Sequence, residues 1–242
     1  LHGLLGALQV SVGRHAEALE AFEQAIWIAP EDAELHAELG YALSHMGRMD
    51  KAIESLQDCL RYDADHVEGR FALGKCFQER GNQDDALREY EEVVRRSPDH
   101  ADAWYCLGQV RLARQEADAA AEAFRQATRV RPDFGAAYTA AGDAYRLQGD
   151  LEEAMRALRH AVRLAKEAPE PGVALGKVYL ELARPQDAAS SFERVIAKHP
   201  DHVEAHYGAG LAHVLANDDG KAVASFRQVL DRDGGHLEAR RE

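Results

Sequence analysis

The chain has 242 residues, with 42 acidic against 29 basic side chains and a formal net charge of −13. Its length allows one or two domains, and 46% hydrophobic residues suffice for a sizeable core. No apolar run reaches the roughly 18 residues that a membrane span needs, so membrane insertion is not expected. The acidic balance repels phosphates, so we expect no nucleic-acid partner.

The cysteine count bears on the compartment. Three cysteines, an odd number, argue against a disulfide framework and favour a reducing, cytoplasmic location. A composition rich in alanine and arginine hints at a bacterial source. The chain begins with Leu1 rather than methionine, and we expect it to be a piece of a longer protein.

A 34-residue period runs through the sequence. Glycine recurs at this interval, at Gly6, Gly40, Gly74, Gly108, Gly142, Gly176 and Gly210. Alanine follows each glycine after twelve positions, at Ala18, Ala52, Ala86, Ala120, Ala154, Ala188 and Ala222. A large apolar residue comes four positions later, at Phe22, Leu56, Tyr90, Phe124, Leu158, Phe192 and Phe226. Proline closes four of the units, at Pro30, Pro98, Pro132 and Pro200.

Each period predicts two helices. Residues 101–114 and 118–131 show apolar spacings of three and four, as amphipathic helices require. A short polar turn separates the helices and carries a glycine in four units, at Gly13, Gly47, Gly81 and Gly149. We expect the recurring glycine and alanine to lie where the two helices cross closely, with the large apolar residue beside them. In the Pro-Asp-His ending, proline stops the second helix and the aspartate suits the cap of the next.

In chain order, the predicted hairpins span 1–32, 33–66, 67–100, 101–134, 135–168, 169–202 and 203–236, and 237–242 begins a further helix or cap. One such hairpin cannot bury its apolar face alone, and stacking seven builds a continuous core.

The period and its residues resemble the tetratricopeptide repeat over residues 1–236. The residues that carry the resemblance are Trp104, Leu107, Gly108, Ala120, Phe124, Ala127 and Pro132. The resemblance implies an all-α fold, an α-solenoid in which seven 34-residue hairpins form a right-handed superhelix. It also implies a non-catalytic scaffold that binds a peptide or helix of a partner protein in a concave groove.

In this family the first helix of each repeat lines the groove, through repeat positions 2, 5, 9, 12 and 13. The groove residues that the resemblance implies here are Tyr41, Phe71, Lys75, Gln78, Tyr105, Gln109, Asp143, Arg146, Lys177, Tyr207 and Leu211. Leu112, Val173 and Val214 occupy such positions too. Packing of some of these residues against the next repeat is the alternative, and it explains Leu112 and Val214 equally well. These aromatic, aliphatic and charged groups suit an amphipathic partner.

Charge along the chain is uneven. Residues 1–100 hold 20 acidic and 10 basic side chains, so a basic partner is expected to bind at this end, although a solvated acidic surface is the alternative. Position 2 is acidic in five units, and we attribute this to the helix dipole, which favours carboxylates in a first turn, rather than to an acidic stripe.

The pattern breaks at residues 166–172. Lys166 replaces the closing proline, Pro169 and Pro171 enter the start of the next helix, and Gly172 replaces a large side chain. We expect weaker packing here. Local adjustment is the favoured interpretation, and a hinge is the alternative.

Motifs for catalysis or metal binding are weak. Histidine recurs at the last position of a unit, as in His66 and His100, and this indicates a role in the turn. His199, His202 and His206 have spacings compatible with zinc but straddle a helix break. We therefore expect no enzyme activity, cofactor or metal site.

Two alternatives to a simple scaffold stay open. The segment could be the recruiting or regulatory arm of a larger enzyme or of secretion or assembly machinery. It could also self-associate through open ends of the array.

Overall fold

The computed structural model describes residues 2–232, so the element predicted at 237–242 lies outside the described residues. Fourteen α-helices and no strand occur within them. Their bounds are α1 His2–Ser11, α2 His15–Ile28, α3 Ala33–His45, α4 Met49–Tyr62, α5 Val67–Glu79, α6 Gln83–Arg96, α7 Ala101–Ala113, α8 Ala117–Val130, α9 Gly135–Gln148, α10 Leu151–Leu164, α11 Glu170–Glu181, α12 Pro185–Lys198, α13 Val203–Leu215 and α14 Asp219–Arg232. The predicted helices at 101–114 and 118–131 are found within one residue of their expected bounds.

The chain divides into two compact units, 1–114 and 115–242. Within each unit every described helix packs against the next helix along the chain. The odd-numbered helices also contact one another in sequence, α1 to α3 to α5 to α7 in the first unit and α9 to α11 to α13 in the second. Because they adjoin, their outward side chains form a continuous row within each unit.

The predicted close crossing of glycine and a large apolar residue is confirmed. A methyl group on Gly40 would lie 2.6 Å from Leu56 Cγ, and one on Gly176 would lie 2.5 Å from Phe192 Cζ. Leu56 and Phe192 are fully buried. A side chain at either glycine would displace its partner from the core, which explains why the 34-residue period preserves both residue types.

The turns that join the two helices of each predicted hairpin share one backbone conformation. Gly13, Gly47, Gly81 and Gly149 have φ between 71° and 84°. Where glycine is absent, the corresponding residues take the same left-handed conformation: Gln115, Ala183 and Asn217, with φ of 64°, 54° and 59°. Ala183 has neither glycine's freedom nor an asparagine-like side chain that favours this region, so strain is expected there.

The residue that caps the helices after a Pro-Asp-His ending differs from the prediction. We expected the aspartate, but His100 Nδ1 accepts a hydrogen bond from Ala103 N at 3.0 Å, and His202 Nδ1 accepts one from Ala205 N at 3.2 Å. The aspartate stands one residue too early to reach the first turn. Where aspartate itself takes the last position, as Asp32 does before α3, its Oδ1 accepts from Glu34 N at 3.1 Å.

The fourth residue of several odd-numbered helices donates a hydrogen bond to the turn that precedes its helix. Trp104 Nε1 donates to Pro98 O at 2.9 Å, and His206 Nε2 donates to Pro200 O at 2.7 Å. The same bond, always to the carbonyl six positions earlier, is made by His36 and Arg70. These side chains therefore fix the preceding turn against the start of the odd-numbered helix.

Gly172 has no side chain to make this bond. A cavity of about 230 Å³ lies beside it, between the end of α10, the start of α11 and the last part of α12. Larger cavities lie elsewhere, such as that of about 410 Å³ between α11 and α13, so weaker packing at 166–172 stays a prediction. The segment lies inside the second compact unit, and α10 packs on α11, which favours local adjustment over a hinge.

Candidate functional site

In the first compact unit, residues 1–114, Tyr41 lies on α3 and forms a hydrogen bond with the next odd-numbered helix. Its hydroxyl donates to the carbonyl oxygen of Glu68 in α5 at 3.0 Å. The ring is half-buried, and burial, with the nearby Glu68 carboxylate, raises the pKa of Tyr41. The hydroxyl is therefore a structural donor, and the ring surface is the part that a ligand can reach.

Phe71 and Gln78 on α5 share one partner, Tyr90 of α6. Tyr90 donates its hydroxyl hydrogen to Gln78 Oε1 at 2.7 Å, and its ring centroid lies 5.8 Å from that of Phe71. The Phe71 ring also lies 4.6 Å from that of His100. Tyr90 thus contacts both predicted groove residues, Phe71 and Gln78, and His100 contacts Phe71. The repeat pattern indicated only a core position for Tyr90.

Tyr105 and Gln109 lie one turn apart on α7. Gln109 Nε2 donates to the Tyr105 hydroxyl oxygen at 3.1 Å, and both side chains are half-buried. Lys75 is exposed, and its charge acts on the Cys106 thiol nearby. Burial outweighs that charge and raises the pKa of Cys106, so this thiol is a poor nucleophile.

The second unit brings together Asp143, Arg146 and Lys177. Burial raises the pKa of the Asp143 carboxyl, while the charges of Arg146 and Lys177 act in the opposite direction. Both cations also form ion pairs with other carboxylates. Arg146 Nη1 lies 3.0 Å from Glu181 Oε1, and Lys177 Nζ lies 2.6 Å from Glu204 Oε1. The result is a polar chain that links α9, α11 and α13.

Lys177, Tyr207 and Leu211 line one cavity of about 410 Å³ between α11 and α13. Leu180 and Phe192 complete its apolar part. The Lys177–Glu204 ion pair also lines it. Three of the predicted groove residues therefore surround a space large enough for an apolar side chain of a ligand.

The acidic position-2 residues have specific partners. Glu34 Oε2 lies 3.0 Å from His66 Nε2, and Glu68 Oε1 lies 3.7 Å from His100 Nε2. The helix dipole alone therefore does not account for them. Next to Glu34, burial and the Glu34 charge raise the pKa of Glu38, which the groove prediction omitted.

Val173 packs in the core instead of lining the groove, as the packing alternative expects for some of these positions. It is 4% exposed and belongs to the core cluster around Phe192, whereas Phe71 and Tyr207 at the same position are part-exposed rings. A valine is too short to extend beyond the helices packed around α11. Val214 is exposed.

The histidines with zinc-like spacing have other partners. His199 Nε2 donates to Glu167 O at 2.7 Å, His206 Nε2 donates to Pro200 O, and His202 caps α13. Across residues 2–232, no three histidine, cysteine or acidic side chains converge in a way that could hold a metal ion. Nor is any helix in this range long and apolar enough to span a bilayer.

The sequence matches family models described as tetratricopeptide repeat. One matches residues 71–127, 107–169 and 173–236, more than half of the chain, and a second matches 10–76. The chain belongs to the tetratricopeptide repeat family. Its all-α fold is the solenoid type of that family, and the predicted residues lie on the helices that the family resemblance indicated.

Several solved structures resemble the chain. YrrB, a protein with an unusual peptide-binding site, aligns with a TM-score of 0.70 and 20% identity, covering 78% of this chain and 97% of YrrB. The C-terminal part of a repeat protein from Cytophaga hutchinsonii aligns at 0.80 and 15%, covering 98% and 97%. MamA from Desulfovibrio magneticus aligns at 0.66 and 22%, covering 71% and 97%. These similarities show the fold. No curated protein sequence matches the chain.

Proposed function

We propose that the chain is a non-catalytic scaffold that binds a peptide or helix of a partner protein along its odd-numbered helices. The cavity between α11 and α13 carries this proposal, because Lys177, Tyr207 and Leu211 surround it. An apolar anchor of the partner would fill the cavity, and its polar groups would meet the chain formed by Asp143, Arg146 and Lys177. YrrB, which has a related fold, has a peptide-binding site.

The first unit offers a second part of the surface, with different chemistry. Tyr41, Phe71 and Tyr105 present part-buried rings, and Glu34 and Glu38 lie on α3. Burial raises the pKa of Glu38, and the negative charge of Glu34 nearby raises it further. A cationic group of the partner would relieve this repulsion, so we propose an amphipathic partner with basic residues facing α3.

Peptide selection tests the scaffold function and requires no known partner. A random peptide library displayed on phage is selected against the protein, and the enriched peptides are titrated by calorimetry. We expect Leu211→Ala to weaken binding of peptides that use the α11–α13 cavity. Tyr105→Ala combined with Lys75→Ala is expected to weaken those that use the first unit.

Controls separate binding from folding. Val223→Ala alters an exposed apolar residue on α14, outside the odd helices, and should leave affinity unchanged. Circular dichroism must show that every variant keeps its helix content. Peptides that bind all variants with wild-type affinity would place recognition elsewhere and contradict the proposal.

Self-association is a second candidate function, and the surface of α1 favours it. Leu4 and Leu8, one turn apart, are 77% and 62% exposed, and Val12 just after the helix is 60% exposed. This apolar strip is suited to burial against a second copy. Light scattering over a range of concentrations should show mass growth that Leu4→Glu with Leu8→Glu abolishes. A constant monomer mass would contradict self-association.

A reducing, cytoplasmic compartment is part of the proposal. Cys59, Cys76 and Cys106 are all free thiols, and Cys59 and Cys76 are buried. The division into seven repeats at the predicted boundaries is likewise proposed, supported by the regular alternation of helices over residues 2–232.

A further inference from the structure

The cavity beside Gly172 shares no lining residue with the cavity between α11 and α13, although α11 and α12 contribute to both. Its walls are largely apolar, with Val162, Ala165, Pro169 and Val195 among the lining residues. Its volume of about 230 Å³ exceeds the roughly 150 Å³ of an engineered cavity in another protein that holds benzene. One substituted aromatic ring therefore fits.

The chain itself shows what this space accommodates elsewhere. Trp104 and His206 stand at the position of Gly172, two repeats before it and one repeat after it. Each places a ring over the preceding turn and donates to the carbonyl six positions back. The corresponding carbonyl here is Lys166 O, which instead accepts from Lys198 Nζ. A flexible ammonium thus occupies the hydrogen-bond position of a ring N–H.

A buried hydroxyl points to a ligand. Ser191 lines the cavity and is only 2% exposed. Its Oγ is one of few buried side-chain atoms in the described part of the chain that lack a hydrogen-bond partner. A buried hydroxyl without a partner is unfavourable, so a polar group entering the cavity would gain a bond that the protein does not supply.

The cavity is also selective in charge. Lys166, Arg194, Lys198 and His199 line it, and no acidic residue is among the lining residues. Glu167 just outside pairs with Lys198, with Oε1 and Nζ 3.0 Å apart. Three permanent cations against one carboxylate favour an anionic ligand.

We infer that the cavity beside Gly172 binds an aromatic ring carrying a carboxylate, with the ring against Val162, Ala165 and Pro169 and the carboxylate paired with Arg194 and Lys198. The ring does not follow the direction of a Gly172 side chain, because a Cβ there would lie 2.6 Å from Val195 Cγ2. Two sources share this chemistry: a free aromatic acid, and an aromatic side chain next to an acidic residue in a partner peptide. In either case an indole would donate to Lys166 O, as Trp104 donates to Pro98 O, and would release Lys198 for the carboxylate.

N-acetyl-tryptophan, its amide and the peptide acetyl-Gly-Trp-Glu-Gly-amide are the probes. Calorimetry and amide chemical shifts of the ¹⁵N-labelled protein measure binding. We expect N-acetyl-tryptophan to bind at least tenfold more tightly than its uncharged amide, with shifts at residues 165–172 and 191–199. Binding of the peptide alone would identify a side chain of a partner as the source, and binding of both would establish the shared chemistry.

Variants test the site directly. Gly172→His adds the ring found at His206 one repeat later and should abolish binding. Its Cβ would lie 2.6 Å from Val195 Cγ2, so the valine must shift in this variant. If that variant does not fold, Arg194→Glu is decisive and should weaken binding at least tenfold. Arg227→Glu on α14 is its control and should have no effect.

Ser191→Ala supplies a check that does not depend on charge, with Ser225→Ala at the same place in the next repeat as its control. We expect only Ser191→Ala to weaken binding. Absence of binding by both the acid and the peptide at millimolar concentration would overturn the inference, as would affinities that Arg194→Glu leaves unchanged.

Discussion

Tyr41 and Glu68 connect two successive odd helices through one hydrogen bond, from the tyrosine hydroxyl to the main-chain carbonyl at 3.0 Å. The tyrosine was predicted as a ligand-binding residue, and its hydroxyl has a structural partner. Its two parts therefore have separable roles, the ring for recognition and the hydroxyl for spacing α3 from α5.

Tyr41→Phe separates these roles. We expect it to lower the free energy of unfolding by about 1 kcal/mol, because the hydrogen bond between α3 and α5 is lost. Binding of selected peptides should persist, since the ring is retained. Urea denaturation measures the first effect and calorimetry the second. Tyr62→Phe, at a ring that is 42% exposed, is the control and should leave stability nearly unchanged.

Ala183→Gly is expected to stabilise the protein by about 1 kcal/mol. Alanine at φ 54° lies in the left-handed region, where a Cβ is unfavourable and glycine is not. Thermal and urea unfolding measure the gain. Ala197→Gly, in the exposed part of α12, should instead destabilise by about 1 kcal/mol, as glycine does in a helix. A loss of stability in both variants would show that Ala183 is not strained.

His202→Ala is expected to cost about 1 kcal/mol, because the Ala205 amide at the start of α13 loses the imidazole acceptor and keeps only the His202 carbonyl. His202→Asp supplies another acceptor at the same position and should recover most of the loss. Hydrogen exchange of the Ala205 amide reports the cap locally. Equal exchange in wild type and His202→Ala would contradict the capping role.

Asp143→Asn is expected to stabilise the protein at neutral pH. The pKa of Asp143 is raised by burial, so the folded state holds this proton more tightly than the unfolded state does. The stability that this provides is complete below the unfolded pKa and is lost as the pH rises through the folded pKa. The advantage of the asparagine should therefore vanish in acid. Urea denaturation across the acidic and neutral range measures it.

Asp218 provides a control of opposite sign. Its pKa is lowered, first by the hydrogen bond from the Lys221 amide, so its carboxylate stabilises the folded state above the unfolded pKa. That contribution is lost as the pH falls through the folded pKa. Asp218→Asn should thus destabilise at neutral pH. If both variants changed stability in the same direction, charge burial would not explain Asp143.

The sequence predicted those parts of the structure that depend on local spacing. Gly40 and Leu56 were paired correctly because a fixed period brings the same residues of two helices together. The histidine caps were not predicted. Whether the Nδ1 of a histidine accepts a hydrogen bond depends on how its ring is oriented toward the backbone amide three residues later. The place of Val173 stayed open because repeat position specifies direction but not the reach of the side chain.

The residues proposed for the groove lie on the odd helices, as the family resemblance implied, but their partners were not predictable. Tyr90 supports Gln78 across a helix pair, and Arg146 bonds Glu181 on the next odd helix. Such contacts depend on rotamers and on the approach of neighbouring helices, which the repeat pattern does not contain. The cavity at Gly172 was not predicted, since the orphan hydroxyl of Ser191 becomes apparent only in three dimensions.

Contacts between the described helices of each compact unit join elements that are at most two helices apart along the chain. Native contacts therefore form between helices that are close in sequence, and each compact unit has a low contact order. Chains of this kind fold within microseconds to milliseconds, and folding can start at any hairpin and spread in both directions. Removing α14 should therefore leave the contacts of α8 to α12 intact, because their stability comes from nearest neighbours.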